Sequence, residues 1–566
     1  MGEFGSIYKD CYKDFLMLLL KDGNKLKDKN ALISIWGCED KSHWAYQSAY
    51  LSLKKILGRV IVFDPRKWRI DLGSKNMKKR LLNIISIEKP DYFFFLPDSK
   101  EMDIDLIRKI NEISPKTKTI AHFGDDDLHF ATRSRYYGLF VDCCLVGLGQ
   151  YVSDYKKDGL RNAFPLTDAI NTDHFRKLNL KKIYDVSFVG SSTPKSRVEL
   201  ARFLIDHGVK LHLWGRGWES YPEFNNIYHG VPNLDDYVRI INQTKINLAP
   251  SRGQYGQTHM TSRAYEIASC LSFGLADEHE EYLKYLGKKY KRAMFKDNND
   301  LLKKINYFLK NEKEREKIAY ETQNRVVRNH DMAKELKEIL VEISKKDEKI
   351  RELPKLKSNF VVLKKQDFNN LKELKKKIND YQFISFSSGE IKISKFKNYL
   401  LVYALEKTGK EISCCEYSVS SNFEDYLTFK ALRHLKNFDR RTFEGLLDLN
   451  QIAVRKDYFL KNLKKFKEIF YGGKLNFIKE ENTAFIEIPL VSIRLNKIKK
   501  RIINNLKTDE IEKSFQFNFS IELYSLKKRK RLFLESYFYT FLLWSIINKN
   551  WFIFKYLAKA FKLNSK

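Results

Sequence analysis

The fold of this 566-residue chain is decided by the stretch Tyr184-Asp-Val-Ser-Phe-Val-Gly190-Ser-Ser-Thr-Pro194-Lys195-Ser-Arg197. An apolar run ends there at a glycine, and small residues lead into a helical pattern, which is typical of a strand, a tight loop and a helix. Apolar runs continue to alternate with helical patterns at residues 210–215, 227–230, 246–249 and 272–276. This alternation predicts a parallel sheet with crossover helices, a Rossmann-like unit.

The same alternation occurs earlier in the chain. Apolar runs predict strands at residues 31–36, 60–63, 92–96, 119–123 and 143–147. A parallel sheet of at least five strands is therefore expected before the second unit. Residues 162–178 carry Pro165 and few strand signals, which suits a linker between the two units.

The length of the chain predicts several domains, because one hydrophobic core seldom serves so many residues. Residues 1–6 have the composition of an expression scar. We expect an α/β protein with one Rossmann-like domain at 7–165, a second at 166–350 and a different α/β domain at 351–566. Hydrophobic residues form 43% of the chain and only 11 are proline, which favours globular order throughout.

Positive charge is concentrated in the last domain. Residues 351–566 hold 44 Lys and Arg against 23 Asp and Glu, which is +21 of the formal charge of +33. Such an excess suits nucleic acid, anionic lipid or phosphorylated substrates. A lysine-rich composition on solvated surfaces explains it equally well.

The spacing of the cysteines and the hydropathy of the late segments indicate the cellular compartment. The seven cysteines form no CxxC pair and no zinc spacing, which fits a reducing cytoplasm. The most apolar late segment, residues 537–554, is interrupted by Asn548-Lys549-Asn550 and is shorter than the roughly 20 apolar residues that a bilayer crossing needs. We interpret it as non-spanning and expect a cytoplasmic protein.

The loop after the strand at 184–189 has the features of a phosphate site. Gly190 and the small residues after it offer backbone N–H groups at a helix N-terminus, beside the cations of Lys195 and Arg197. A diphosphate is held in this way. A plain strand-to-helix turn requires the same small residues, so the two interpretations stay open.

Three further segments follow in an informative order: Gly230-Val231-Pro232, Pro250-Ser-Arg252 and Thr261-Ser-Arg263-Ala-Tyr-Glu266. A glutamate in the first turn of a helix ordinarily complements the helix dipole, yet at the carboxyl end of a parallel sheet it can also bind ribose hydroxyls. Arg252 and Arg263 would then neutralise phosphates, with surface salt bridges as the alternative.

From Asp185 to about His330 the chain resembles the carboxyl-terminal domain of spore-maturation (CgeB) type glycosyltransferases of GT-B fold. The first unit adds Phe123-Gly-Asp125-Asp126-Asp127, which is similar to an acidic strand end in that group. The residues that carry the resemblance are Asp185–Gly190, Leu213-Trp-Gly215 with Trp218, Gly230-Val231, Ile246-Asn-Leu248, Arg263–Cys270, Asp300-Leu301, Glu312, Glu314, Arg315, Ile318-Ala319 and Arg328-Asn-His330.

The resemblance implies a nucleotide-sugar donor bound by the second unit, with the acceptor entering from the first. Glu266 would bind the ribose, Gly230-Val231 would lie near the base, and Lys195, Arg252 and Arg263 would surround the diphosphate. Two positions depart from the family pattern. Leu271 stands where a glycine is common, and Thr258 stands where many retaining enzymes place a second glutamate, which favours inversion.

Sugar transfer also needs a base for the acceptor hydroxyl. Asp125, Asp126 and Asp127 crowd three carboxylates together, so like-charge repulsion should raise the pKa of at least one. Asp40 and His43 are the other candidates. A capped helix start explains the three aspartates as well, and packing or solvent exposure explains His43.

A DxD pattern, which binds metal in GT-A enzymes, is present inside the three aspartates. Because GT-B enzymes generally require no metal and no other ligands cluster nearby, we expect neither a metal nor another cofactor.

The last domain faintly resembles the middle of GT-A glycosyltransferases. Its predicted strands lie at 360–363, 381–386 and 411–417, and Gln451–Phe459 would match the acceptor-side strand. Ser387-Ser-Gly-Glu390 replaces the metal-binding aspartates, which predicts a degenerate, inactive domain. Residues 526–566 interleave basic and aromatic residues in helical segments, which suits either an anionic membrane surface at the inner face or a packed core.

Together these features predict a glycosyltransferase of the hexosyltransferase class. It would act in polysaccharide biosynthesis, on a surface-glycan, lipid-linked or protein acceptor. A nucleotide-sugar epimerase on the same scaffold is one alternative, and a non-catalytic basic scaffold is another. The diffuse charge and the lack of a recognised module argue against nucleic acid as the partner.

Overall fold

A computed structural model describes residues 26–97, 101–160, 162–166, 170–251, 260–345, 353–387, 392–420, 426–428, 449–470 and 481–494. These residues form three sheets with helices packed against them. The first two sheets are wholly parallel, as Rossmann-like units require. The predicted α/β class is confirmed.

The first sheet lies within residues 30–165 and has six strands. They are β1 (Asn30–Ser34), β2 (Arg59–Val62), β3 (Tyr92–Phe95), β4 (Lys118–Phe123), β5 (Cys143–Val146) and β6 (Ala163–Pro165), in the spatial order β2-β1-β3-β4-β5-β6. The helices around it are α1 (Leu51–Ile56), α2 (Pro65–Leu72), α3 (Ser74–Glu88), α4 (Ile104–Ile113), α5 (Asp126–His129), α6 (Arg135–Gly138) and α7 (Val152–Lys157).

The sixth strand corrects the predicted linker. Ala163–Pro165 pairs with β5 at the sheet edge, where the missing N–H of Pro165 removes only an outward-facing donor. The linker that was predicted at residues 162–178 therefore begins about four residues later than expected.

The second sheet has five strands: β7 (Tyr184–Val189), β8 (Leu211–Trp214), β9 (Thr244–Ala249), β10 (Gly274–Asp277) and β11 (Met294–Phe295), in the order β11-β10-β9-β7-β8. Its helices are α8 (Lys195–Asp206), α9 (Leu234–Gln243), α10 (Ser262–Ser269), α11 (Glu280–Leu286), α12 (Asn298–Lys310), α13 (Glu312–Asn329) and α14 (Met332–Lys345). The strand predicted at Ile227–Gly230 is wrong, because that segment makes a single bridge between Leu213 and Tyr228.

Short polar side chains set several helix starts. The carboxylate of Asp64 accepts the N–H groups of Arg66 and Lys67 at the start of α2, and Asn233 accepts the N–H of Asp236 at the start of α9. Each cap satisfies donors that have no partner inside the helix.

The third sheet is mixed and has seven strands: β12 (Phe360–Leu363), β13 (Phe383–Phe386), β14 (Lys392–Ile393), β15 (Ile412–Ser420), β16 (Tyr426–Thr428), β17 (Ile452–Arg455) and β18 (Thr483–Arg494). Its helices are α15 (Leu371–Ile378), α16 (Lys397–Thr408), α17 (Lys456–Lys461) and α18 (Leu463–Phe470). The predicted strand at 360–363 is confirmed, and those predicted at 381–386 and 411–417 form at 383–386 and 412–420. Of the strand predicted at 451–459, only 452–455 is a strand, because α17 begins at Lys456.

The third sheet does not stand apart from the first. One continuous hydrophobic core contains Phe93 and Tyr136 of the first sheet region together with Leu401 of α16 and Ile486 of β18. Phe140 and Phe396 meet edge to face with ring centroids 4.8 Å apart. The third sheet and α16 therefore complete the core on one face of the first unit.

The chain crosses between the first and second units twice, once near Ile170 and once near His330, and the two crossings lie side by side. The N–H of Ile170 donates to the carbonyl of His330 over 3.3 Å, and the N–H of Met332 donates to the carbonyl of Ile170 over 2.9 Å. After this crossing α14 packs against the first sheet, where Leu336 and Leu340 are buried beside Leu53 of α1.

Across the described ranges, no helix is long and apolar enough to span a bilayer. The segments at 537–554 and 526–566 that the sequence singled out lie outside those ranges.

Candidate functional site

The second sheet has a crevice where its strand order reverses. The chain runs from β7 to β8 on one side and from β9 to β11 on the other, so the loops after β7 and β9 diverge. Ligands of open α/β sheets bind at such a switch point, outside the carboxyl ends of the strands. Gly190–Pro194, the start of α8 and Ser251 all lie there.

Two arginines from different helices meet in this crevice. The guanidiniums of Arg197 on α8 and Arg263 on α10 lie 5.7 and 5.3 Å from the ring centroid of Phe188. Burial, followed by the charge of Arg263, lowers the pKa of Arg197 to about 10. Nε of Arg197 and Nη1 of Arg263 are buried and have no hydrogen-bond partner among the described residues. Two half-buried like charges with unused donors favour binding of an anion, in addition to the carboxylate of Asp277, whose charge opposes the lowering of the Arg197 pKa.

Unpaired hydroxyl groups surround these guanidiniums. The side-chain oxygens of Ser196, Ser251 and Thr261 are buried and have no partner within the described parts of the chain. A cavity of about 100 Å³ opens beside Ser196 and Arg197, and Asp277 lines its other side. Hydroxyl and guanidinium donors in this arrangement suit phosphate oxygens.

The loop that faces the arginines is held from behind. The indole N–H of the buried Trp218 donates to the carbonyl of Gly190 over 2.8 Å. Gly215 has φ +125° and lies so close that a Cβ there would come within 2.2 Å of the same carbonyl oxygen. Arg197 ties the loop from the front, since its Nη1 donates to the carbonyl of Thr193 over 2.9 Å.

Gly190 leaves room for the second arginine. A Cβ at Gly190 would lie 2.9 Å from both Nη2 of Arg263 and the ring of Phe188. We expect Gly190→Ala to displace the guanidinium and to weaken nucleoside diphosphate binding about tenfold, measured by calorimetry. Gly124→Ala is the matched control, because a Cβ there meets nothing within 4 Å. Equal affinities for the two variants would contradict this packing argument.

Glu266 lies one turn beyond Arg263, as the fifth residue of α10 rather than in its first turn. The hydroxyl of Tyr237 donates to its carboxylate over 2.9 Å. Burial raises the pKa of Glu266, while the Tyr237 hydrogen bond and the Arg263 charge oppose the rise. The carboxyl group is therefore held beside the arginine pair.

The other residues predicted to bind the nucleotide-sugar donor are Lys195, Gly230-Val231 and Arg252. Lys195 is exposed as the first residue of α8. The carbonyl of Gly230 accepts the N–H of Gly215, which places the exposed Val231 near the carboxyl end of β8. Arg252 lies outside the described residues.

Leu271, which stands where the family pattern commonly has a glycine, has an unusual backbone conformation. Its φ of +51° lies in the left-handed region, which a glycine adopts without strain. The backbone therefore retains the conformation that the common glycine would take.

In the first unit, Asp40 and His43 follow β1, next to that sheet's own switch point. Asp40 is exposed, and the hydroxyl and N–H of Ser42 both donate to one oxygen of its carboxylate, which lowers its pKa. A carboxylate stabilised in this way is a weak base.

His43 is half-buried, with its ring centroid 4.2 Å from that of Trp36. Its Nδ1 accepts the N–H of Ala45 over 3.2 Å, at the start of a π-helical turn, Ala45–Tyr50. Burial lowers the pKa of His43, and the charge of Arg216 in the second unit is among the smaller influences on it. His43 therefore lies within electrostatic range of the second unit.

The three aspartates after β4 have different environments. Asp125 is exposed and Asp127 half-buried, whereas Asp126 is buried and accepts a hydrogen bond from the hydroxyl of Tyr155 over 3.0 Å. Burial raises the pKa of Asp126 to about 6, and the charge of Asp125 is the smallest of the influences given. The expected rise occurs, but burial rather than like-charge repulsion causes most of it. Among the described residues, no three His, Cys, Asp or Glu side chains form a metal-binding group.

The raised pKa of Asp126 makes stability depend on pH. Because the folded-state pKa of about 6 exceeds the ordinary 3.8, the folded state binds the proton more tightly. This stabilisation is complete below about pH 4 and is lost as the pH rises through 6, about 2 to 3 kcal/mol in all. We expect urea denaturation of Asp126→Asn to lack this dependence, while exposed Asp125→Asn retains it. Parallel pH profiles for wild type and Asp126→Asn would contradict the assignment.

The sequence offered no signal for His122, since it lies inside an apolar run. It is half-buried near the carboxyl end of β4, and burial lowers its pKa to about 4, opposed by the charge of Asp125. The first unit thus places a neutral imidazole near Asp125 at pH 7.

One known protein family matches a segment that lies mainly in the second unit. Residues 197–341 match a family described as glycosyl transferase-like. That span contains Arg197, Arg263 and Glu266, and it runs from α8 into α14. The chain therefore carries a glycosyltransferase-like domain. Among curated proteins, none matches the chain.

Several solved structures are distantly similar. Anabaena HepE in complex with UDP-glucose has 11% identity and a TM-score of 0.40, covering 56% of this chain and all of that one. The T4 phage enzyme BGT in complex with its UDP-glucose substrate has 13% identity and a TM-score of 0.38, covering 56% and 99%. TarM has 9% identity and a TM-score of 0.38, covering 47% and 58%. Similarity at this level is too distant to assign an activity or a substrate.

Proposed function

We propose that the protein transfers a sugar from a nucleotide-sugar donor to a surface-glycan, lipid-linked or protein acceptor. The arginine pair of Arg197 and Arg263, with its unused donors, is the observation that carries the proposal. It lies at a switch point inside the segment that matches the glycosyltransferase-like family.

Each part of the donor has a partner in this proposal. The diphosphate binds Arg197, Arg263 and the hydroxyls of Ser196, Ser251 and Thr261, with Lys195 at the rim. Arg252 is proposed from the sequence to neutralise phosphate as well. Glu266 binds the ribose hydroxyls, and Gly230-Val231 borders the base. A carboxylate beside two cations suits a group that carries both hydroxyls and phosphates.

The acceptor would react from the side of the first unit. A base removes the acceptor hydroxyl proton, the acceptor oxygen bonds to the anomeric carbon, and the bond to phosphate breaks to release the nucleoside diphosphate. We assign the base to Asp125, because it is exposed at a strand end and its carboxylate makes no hydrogen bond within the described residues. Arg197 and Arg263 stabilise the departing phosphate.

The finer features of the proposal follow from the resemblance, from the strand and helix pattern, and from the composition of the sequence. They are CgeB-type membership, the hexosyltransferase class, domains at 7–165, 166–350 and 351–566, a degenerate GT-A-like third domain, no need for a metal, and a cytoplasmic site at the inner membrane face. Inversion of the anomeric configuration is proposed because Thr258 replaces the second glutamate.

A thermal-shift screen against UDP, GDP, CDP, ADP and dTDP and their common sugars tests the donor site. We expect one nucleotide to stabilise the protein selectively, by about 3 kcal/mol at a hundredfold excess over its Kd. Stabilisation by none of them would contradict the proposal. Inorganic pyrophosphate is the control, because its effect separates phosphate binding from recognition of the nucleoside.

A further inference from the structure

A buried polar contact connects the third unit to the acidic turn of the first. Nδ1 of His129 lies 3.0 Å from a carboxylate oxygen of Glu487, and their side chains are only 2% and 10% exposed. His129 is the last residue of α5, the short helix that begins at Asp126. Glu487 lies in β18, more than 350 residues later in the chain.

A β-bulge places Glu487 at this point. The parallel pairing of β15 and β18 is regular up to Cys415 opposite Ile486, and then Glu416 lies opposite Pro489. Two extra residues of β18, Glu487 and Ile488, are accommodated at this shift. Bulges redirect side chains and are frequent next to active sites. The irregularity thus orients Glu487 toward a helix of another sheet.

The segment that Glu487 contacts is itself irregular. After His129 the chain forms a π-helical turn, Phe130–Ser134, before α6 begins. Such turns are rare and occur often at functional sites. A four-residue helix followed by a π-helical turn has few hydrogen bonds of its own to fix it, so its position depends on tertiary contacts.

We propose that Glu487 is a positioning residue, which acts through His129 to hold the turn that presents Asp125 to the acceptor. The third unit then completes the acceptor side of the enzyme. This inference rests on the proposed function for the role of Asp125, but the contact itself can be tested without activity.

The test compares Glu487→Ala and Glu487→Gln with Glu112→Ala in the full chain. Glu112 is a matched control because it also joins the first and third units, through Lys395 at 3.3 Å, but both side chains are more than half exposed. Hydrogen exchange by mass spectrometry reports on residues 125–134. Release of nucleoside diphosphate from the nucleotide-sugar that stabilises the protein most reports on turnover.

We expect Glu487→Ala to raise exchange at residues 125–134 about tenfold and to lower kcat about tenfold, with the donor KM unchanged. Glu487→Gln keeps a polar side chain of the same size in contact with His129 and should restore most of the protection. Glu112→Ala should change neither quantity. Unchanged exchange in Glu487→Ala, or a uniform increase over the whole chain, would overturn the proposal. If no nucleotide-sugar binds, the proposed function fails and the exchange result alone decides the contact.

Discussion

Replacing Arg263 with glutamine is expected to lower the affinity for the nucleoside diphosphate about 100-fold, a loss of about 2.7 kcal/mol. The guanidinium lies over Phe188, and its Nη1 is buried without a hydrogen-bond partner among the described residues. A bound phosphate would therefore give it a direct partner in addition to the nearby carboxylate of Glu266. Calorimetric titration of wild type and variant measures the change.

The same substitution is expected to stabilise the protein without ligand. Burial first and the charge of Arg263 second lower the pKa of Arg197 in this partly dehydrated crevice, and removing the charge of Arg263 relieves the repulsion between the two arginines. Thermal unfolding should therefore shift upward by a few degrees while binding is lost. If Arg263 served only for packing, its replacement would lower the unfolding temperature, because the loss of a packing residue destabilises the fold.

Arg202→Gln provides the matched control. Arg202 lies on the same helix as Arg197, its guanidinium lies 5.6 Å from the ring of Tyr221, and its Nε donates to Glu223 over 2.9 Å. It therefore shares the charge and the aromatic contact but is already paired and exposed. Equal losses of affinity in Arg202→Gln and Arg263→Gln would show a general charge effect instead of a site.

The sequence points to most residues of the proposed donor site, because these residues lie close to strand ends. Gly190, Arg197, Arg263 and Glu266 were all identified from the strand, loop and helix order. The hydroxyls of Ser251 and Thr261 were not, since serine and threonine are common in any loop. Only the structure shows that these groups are buried and have no hydrogen-bond partner among the residues it describes.

The acidic turn shows why the acceptor side was harder to predict. Three successive aspartates look alike in sequence, yet Asp126 points inward to Tyr155 while Asp125 is exposed. The direction of a side chain in a short helix depends on what packs against it, and that contact comes partly from β18. A pairing between His129 and Glu487 leaves no local pattern that a single sequence could reveal.

The shared core of the first and third units could not be predicted for the same reason. The strand pattern predicted for the third unit does not show which sheet that unit packs against. Burial of Leu401 and Ile486 together with Phe93 is a property of the assembled chain. The third unit was accordingly interpreted as an appendage, whereas the structure shows it packed into the first.

Asp158→Asn is expected to destabilise this junction by about 3 kcal/mol. The carboxylate of Asp158 is about 5% exposed, accepts Nε of Arg135 over 2.8 Å, and pairs with Lys407 of α16 at 3.2 Å. An asparagine keeps the shape but removes the charge, so it leaves the mostly buried guanidinium of Arg135 without its counter-ion. Urea denaturation followed by circular dichroism measures the loss.

The location of the loss distinguishes a shared core from two independent units. Because Asp158 joins α16 to the helices of the first sheet, hydrogen exchange should increase in both residues 135–138 and residues 397–408 of the variant. Asp154→Asn is the control on the same helix, where the exposed pair with Lys157 contributes less than about 0.5 kcal/mol. Increased exchange in residues 135–138 alone would mean that the third unit folds without the first, and the role proposed for Glu487 would then lack its rigid support.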